Sequence, residues 1–202
     1  MSPLPIATEA VELFPGVFQW RSYSPHHRVE LSAHALITDT RGFVFDPIPL
    51  CDQGLHEFRL QSNRIENWYI VVTNENHLRD SVAWAEKLDC QIWGTPETAV
   101  TLPGIQAIPS DNWFPWRIHP LAGAPRGEAL FHFCENRIAI LGDAIVNLPE
   151  RGLEILPDKY CPNAEELKTQ LGEICPLGFD QLLTAHGTPV GPQAADLVAG
   201  LL

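Results

Sequence analysis

The segment "WYIVVTNENHLRD", residues 68–80, changes from a short apolar run to polar side chains. The run is rich in β-branched residues and does not alternate with polar ones, which is typical of a strand that is covered on both faces. From Leu78 onwards, apolar residues recur at helical spacing at Val82, Ala85 and Leu88. The segment therefore predicts a buried strand followed by a helix that begins directly after His77.

The same order of elements extends in both directions along the chain. Residues 35–47, "ALITDTRGFVFDP", predict a hairpin that ends at Asp46, and "CQIWG" with "TPET" predicts a further strand and a helix capped by Thr95. In the second half, "EALFHF" and "RIAILGD" predict a hairpin, "NAEELKTQLGEI" a helix, and "QLLTAHG" a last buried strand ending at His186. We expect one domain over residues 1–202, in which two sheets pack face to face with helices outside.

Charge and composition narrow the classes of partner. The chain has 25 acidic and 13 basic residues and a formal charge of -12, which argues against nucleic acid and anionic membranes as partners. Its start, "MSPLPIATEAVELFPG", lacks the pattern of a signal peptide, and no segment approaches the ~18 apolar residues of a membrane span, so we expect a cytoplasmic protein. A small-molecule substrate or ligand is the expected partner, and the oligomeric state is left open.

Three residues suited to chemistry lie at predicted strand ends. They are His77, Asp143 in "IAILGDA" and His186 in "LLTAHGT". A single loop histidine is usually a surface residue, and Gly-Asp after a strand is often an ordinary turn. Together, however, two imidazoles and a carboxylate form the donor set that zinc prefers, and strand ends place such groups in one crevice.

These motifs give the chain a resemblance to the metallo-β-lactamase fold superfamily. "HALITDTRGFVFDP" is similar to the family's early hairpin, "WYIVVTNENH" to the strand before its His-x-His-x-Asp-His motif, "RIAILGDA" to the strand with its bridging aspartate, and "LLTAHGTP" to the strand end with its final histidine. The resemblance implies a four-layer αββα sandwich, with a metal site between the sheets at one edge.

The motif after the strand departs from the family pattern, and two registers are open. If Thr73 directly precedes the motif, its ligand positions fall on Asn74, Asn76, Leu78 and Arg79. No usual ligand would then remain.

In the second register, the terminal Asp-His of the motif falls on Asn76 and His77, and the loop is two residues shorter. We favour this register because it places His77 with Asp143 and His186 as the ligands of one metal position. Asn76 then offers an amide oxygen, which is a weaker ligand than a carboxylate and is not a base. The family's third histidine falls at Ala124, so a two-metal site is not expected.

Two functional hypotheses follow from this resemblance. One is a metal-dependent hydrolase with a reduced site that holds at most one divalent metal, either zinc, iron or manganese, and has weak or specialised activity. The other is a non-catalytic member of the superfamily that binds a ligand or partner without metal.

The aromatic segment "DNWFPWRIHP", residues 111–120, is expected to pack at least two of its three large rings on the domain.

Overall fold

The computed structural model describes residues 3–109 and 111–202. Within the first of these ranges, seven strands form a sheet in which each strand lies beside its neighbours in sequence. The strands are β1 (Val11–Phe14), β2 (Val17–Ser24), β3 (Val29–Thr38), β4 (Arg41–Phe45), β5 (Asn67–Val72), β6 (Ile92–Gly94) and β7 (Gln106–Ala107). Strands β1 to β4 are antiparallel, whereas β4 to β7 are parallel.

Helices make the connections between the parallel strands of this sheet, as parallel pairing requires. They are α1 (Asp52–Gln61), α2 (Ser81–Leu88) and α3 (Pro96–Thr101). The predicted cap of α3 is present, since the Thr95 side chain accepts a hydrogen bond from the backbone N–H of Thr98. The predicted hairpin is also present as β3 and β4, and Asp46 directly follows β4.

A second sheet of five strands is formed by residues 112–184, in the order β14-β11-β10-β9-β8. Its strands are β8 (Asn112–Trp113), β9 (Trp116–Pro120), β10 (Ala129–Phe133), β11 (Ile138–Leu141) and β14 (Gln181–Thr184). Strands β11 and β14 are parallel, and the other pairs are antiparallel. A separate hairpin and two helices complete this half, namely β12 (Ile145–Leu148), β13 (Gly152–Ile155), α4 (Ala164–Ile174) and α5 (Ala194–Ala199).

Three apolar layers hold these elements together. One lies between the two sheets and contains Val71 and Phe131. A second lies between the first sheet and helices α1 and α2, and a third lies between the second sheet and helices α4 and α5. Strand β5 contributes Val71 to the central layer and Ile70 to the layer under the helices, so both of its faces are buried. The predicted αββα sandwich is confirmed.

The start of α2 differs from the sequence prediction. The helix begins at Ser81 and not directly after His77. In the intervening turn Arg79 has a φ of 41°, and its guanidinium points inward to donate hydrogen bonds to the carbonyl oxygens of Ser32 and Asp46. These tertiary contacts outweigh the helical periodicity that begins at Leu78.

The aromatic segment packs two of its three large rings on the domain, as expected. Trp116 is buried between the sheets, and Trp113 packs edge-to-face on Tyr69. Phe114 is exposed and lies under the guanidinium of Arg41, at the start of β4, about 13 Å along the strand from its other end. None of the helices in the described ranges combines the length and the apolar character that a membrane span requires.

Candidate metal centre

Four strands end at one edge of the sandwich and carry polar side chains there. In the first sheet β4 leads to Asp46 and β5 leads to His77, and in the second sheet β11 leads to Asp143 and β14 to His186. Each pair of strands is parallel, so their carboxyl ends lie at the same edge. The site thus draws on segments from residue 46 to residue 186.

His77, Asp143 and His186 meet in this crevice, as the sequence predicted. One ligand atom from each of the three side chains lies within 4.8 Å of the others. The Nε2 atoms of His77 and His186 are both 3.1 Å from Oδ1 of Asp143. All three side chains are largely buried, with 4 %, 12 % and 14 % of their surface exposed for His77, Asp143 and His186. The His77 ring therefore points into the site and not into solvent.

The outer nitrogen of each imidazole has its own partner. Nδ1 of His77 lies 2.9 Å from Oδ2 of Asp46, and Nδ1 of His186 lies 3.1 Å from the carbonyl oxygen of Glu30. Asp46 is itself held by Thr73, whose hydroxyl and backbone N–H donate to its two oxygens at 2.6 and 2.9 Å. When Nδ1 carries the proton in these contacts, Nε2 of each histidine is left with a lone pair directed at Asp143.

The electrostatic environment differs between the two histidines. Burial by itself lowers the pKa of His77, but the carboxylates of Asp143 and Asp46 outweigh it and raise the pKa to about 9. Burial lowers the pKa of His186, against a smaller opposing effect of its hydrogen bond to Asp143. For Asp143, burial raises the pKa, yet the two histidines outweigh it and hold the pKa well below its usual range. A cation bound at Nε2 of His77 must therefore displace a proton.

Asn74 and Asn76 lie beside Asp143 on its other oxygen. Nδ2 of Asn74 donates to Oδ2 of Asp143 at 3.1 Å, and Nδ2 of Asn76 lies 3.5 Å from the same atom. The Asn76 side chain is exposed. It borders the site, and its assignment as a weak ligand stays a prediction.

Glu128 is a residue of the site that the sequence analysis missed. It directly precedes β10 and is only 2 % exposed. Its carboxylate accepts hydrogen bonds from the backbone N–H groups of Gly142 and Asp143 at 2.8 and 3.0 Å and from Nδ2 of Asn74 at 2.6 Å. Burial, followed by the nearby Asp143 carboxylate, raises the pKa of Glu128 to about 7. The one sequence signal was an acidic residue at the start of a buried strand.

Arg79 links both sheets beneath the site. Its guanidinium donates to the carbonyl oxygens of Ser32 and Asp46 in the first half of the chain, at 2.8 and 3.1 Å, and of Ala185 in the second half, at 3.2 Å. Because Asp46 and Ala185 adjoin the ends of β4 and β14, these bonds fix the spacing of the two sheets at the crevice. In the sequence, Arg79 falls within the helix that was predicted to begin directly after His77.

The three side chains fit a single divalent metal. Their donor atoms converge from three directions, the outer imidazole nitrogens are already satisfied, and two imidazoles with one carboxylate suit zinc, iron or manganese. Ala124, at the expected place of a third histidine, is buried in the apolar layer under α4 and offers no donor. His26 and His27 are exposed and contact each other at the tip of the β2–β3 hairpin.

Comparison with solved structures finds relatives of the same fold at low identity. A metallo-β-lactamase from Pontibacter korlensis has a TM-score of 0.74 and 12% identity, with 95% of this chain and 96% of that one covered. The mono-zinc form of the metallo-β-lactamase FIM-1 from Pseudomonas aeruginosa has a TM-score of 0.73 and 14% identity, covering 100% and 97%. One from Erythrobacter litoralis, with beta mercaptoethanol in its active site, has a TM-score of 0.71 and 15% identity, covering 95% and 94%.

No family model and no curated protein sequence matches the chain. The structural likeness nevertheless covers nearly the whole length of this chain and of each relative. It confirms the resemblance that the sequence motifs carried, at the level of the fold. The chain therefore has the metallo-β-lactamase fold.

Proposed function

We propose that the protein is a metal-dependent hydrolase with a reduced site, in which His77, Asp143 and His186 hold one divalent metal. The observation that supports this most strongly is the convergence of the three donor atoms within 4.8 Å of one another at the shared edge of the two sheets. A bound divalent metal supplies Lewis-acid activation of water. The solved relatives named above are metallo-β-lactamases, and one was determined in a mono-zinc form.

The residues around the three ligands support slow hydrolysis. In the register favoured above, Asn76 takes the place of the motif's carboxylate, and its amide is not a base that could deprotonate water. Asp46 is hydrogen-bonded to His77 and Thr73, and the carboxylate of Glu128 is buried and accepts a hydrogen bond from Asn74. Neither carboxylate is free to act as the base. We therefore expect a weak or specialised activity on a small-molecule substrate.

A second candidate is a non-catalytic protein that uses the crevice without metal. The observation that favours it is a continuous chain of polar contacts from Asp46 through His77 and Asp143 to His186, in which each carboxylate is already paired. With His77 protonated, one imidazolium lies between two carboxylates, and the polar atoms of this chain are paired without a metal. The two candidates differ in whether a cation can replace that proton.

Isothermal titration calorimetry, in which zinc is added to the metal-free protein, separates the two candidates. We expect one ion per chain. His77→Ala and Asp143→Ala each remove one of three ligands. Loss of a residue that only hydrogen-bonds to a metal ligand weakens metal binding by up to about 100-fold, so loss of a ligand itself should weaken zinc binding by at least that much. His56→Ala, an exposed substitution on α1, is the matched control and should bind like the wild type.

Hydrolysis of β-lactams, thioesters and phosphodiesters is then measured with zinc, manganese and iron in turn. We expect turnover below about 1 per second on all three classes. A faster rate would contradict the reduced site. A wild-type protein that binds none of the metals would reject the hydrolase and leave the non-catalytic candidate.

A further inference from the structure

We propose that Glu128 is a positioning residue that sets the direction of the Asp143 carboxylate, so that one of its oxygens faces His77 and His186. This inference rests on the proposed metal site, which it deepens. Glu128 touches neither imidazole in the contacts above, so it acts through the turn that carries Asp143 and through Asn74.

Glu128 holds the turn that carries Asp143 through a set of backbone hydrogen bonds. Oε1 of Glu128 accepts from the N–H of Gly142 at 2.8 Å and from that of Ala144 at 3.5 Å, and Oε2 accepts from the N–H of Asp143 at 3.0 Å. One buried carboxylate thus holds three consecutive N–H groups of the turn after β11. Hydrogen bonds from three consecutive N–H groups to the two oxygens of one buried side chain leave the turn little freedom.

The side-chain amide of Asn74 connects Glu128 to the carboxylate of Asp143. Its Nδ2 donates to Oε2 of Glu128 at 2.6 Å and to Oδ2 of Asp143 at 3.1 Å, while its Oδ1 accepts from the N–H of Asn76 at 2.8 Å. All three contacts agree on which way the amide is turned. Asn74 therefore fixes Oδ2 of Asp143 on one side, which leaves Oδ1 for the two imidazoles.

Steric packing supports the same conclusion. A Cβ atom on Gly142 would lie 2.7 Å from both Oε2 of Glu128 and Nδ2 of Asn74 and would also overlap the Thr73 hydroxyl. The backbone of the turn therefore lies directly against these side chains. A site with three ligands has no spare donor, so the preset direction of Asp143 matters for binding.

Glu128→Gln tests the proposal without changing the volume of the side chain. An amide NH₂ at the place of Oε2 would face the donors of Asp143 and Asn74, and at the place of Oε1 it would face those of Gly142 and Ala144. Either orientation sets donor against donor. We expect zinc affinity to fall about 10- to 100-fold, as for other partners that orient a metal ligand.

A second readout needs no metal. In the NMR spectrum of the metal-free wild type, the side-chain amide protons of Asn74 should lie downfield and exchange slowly, because two carboxylates hold them. In Glu128→Gln they should return toward ordinary positions. Leu171→Ala is the control for stability, since it opens a cavity in the layer under α4 but should change neither zinc affinity nor the Asn74 signals.

Asn74→Ala covers the case in which Glu128→Gln does not fold. It retains the backbone bonds of Glu128 and removes the contact with Oδ2 of Asp143, so zinc affinity should again fall. Wild-type affinity in either variant would overturn the proposal, as would ordinary Asn74 signals in the wild type. If the wild type binds no zinc but its Asn74 signals respond to Glu128→Gln as expected, the positioning of Asp143 stands and the proposed hydrolase fails.

Discussion

His34 and His77 are both fully enclosed by the protein, yet the pKa of each shifts in the opposite direction. Burial lowers the pKa of His34 to about 3, because its close partner is the neutral amide of Gln19 at 3.0 Å and Asp46 opposes burial only in part. Burial acts on His77 too, but the two carboxylates that contact it raise the pKa to about 9. At the residue scale, the pKa of a buried imidazole depends on burial and on the carboxylates that contact it, and two carboxylates are enough to reverse the effect of burial at His77.

The lowered pKa of His34 predicts a loss of stability in acid. In the unfolded chain the pKa is 6.5, so stability from neutral His34 is fully present above pH 6.5 and is lost as the pH falls toward about 3. The loss from this residue approaches about 1.4 kcal/mol per pH unit within that window. His34→Gln should therefore flatten the pH dependence of the free energy of unfolding.

Urea denaturation of both proteins at pH 7 and pH 5 measures this difference, because the titrating groups that do not interact with His34 contribute equally to both proteins. Equal changes in the wild type and in His34→Gln would show that His34 is not held neutral in the folded protein.

At the scale of elements, backbone hydrogen bonds to strand β12 hold the loop that follows β14. The N–H of Asn147 donates to the carbonyl oxygen of His186 at 3.2 Å, and the N–H of Thr188 donates back to the carbonyl oxygen of Asn147 at 2.9 Å. Gly187 lies between these bonds with a φ of 90°, where a Cβ atom would overlap the backbone of Asn147. Close approach of two backbones thus holds His186 at the crevice.

Gly187→Ala should accordingly destabilise the protein more than its backbone angle alone explains. Gly104→Ala is the matched control, since Gly104 has a φ of 89° and open space around its Cβ position. We expect the control to cost about 1–2 kcal/mol from the left-handed conformation. Gly187→Ala should cost a further 1–3 kcal/mol from overpacking. Urea denaturation measures both costs, and equal values would contradict the close approach.

At the scale of the whole molecule, three apolar layers carry the stability, and the crevice lies at their edge. A chain of 202 residues can bury a large core, so the fold is not expected to depend on metal. Excess chelator should lower the melting temperature only by the lost binding energy of the metal, at roughly 2–4 °C for each kcal/mol. A single cooperative transition should remain in a calorimetric scan.

Loss of that transition on chelation would mean that metal holds the structure together, as in small zinc-folded domains. The chain would then have more ligands than His77, Asp143 and His186.

Local patterns in the sequence were sufficient for several of the elements and for part of the site. The apolar run of β5, the hairpin before Asp46 and the cap at Thr95 all depend on residues close together in the chain, so periodicity and turn chemistry predict them. His77 and His186 were found because each follows an apolar strand and is of a type that binds metal. The resemblance to the metallo-β-lactamase fold then supplied the order of the layers.

The tertiary structure alone decided how the site is held. Glu128 and Asp143 interact across 15 residues, Asn74 reaches both of them across more than 50, and Arg79 joins carbonyl groups in both sheets. No local period encodes such contacts, because they arise only when strand pairing brings distant segments to one edge. The sequence by itself determined the layers and the identity of three candidate ligands, whereas packing between the sheets decided where Arg79 points, where α2 begins and which carboxylate orients Asp143.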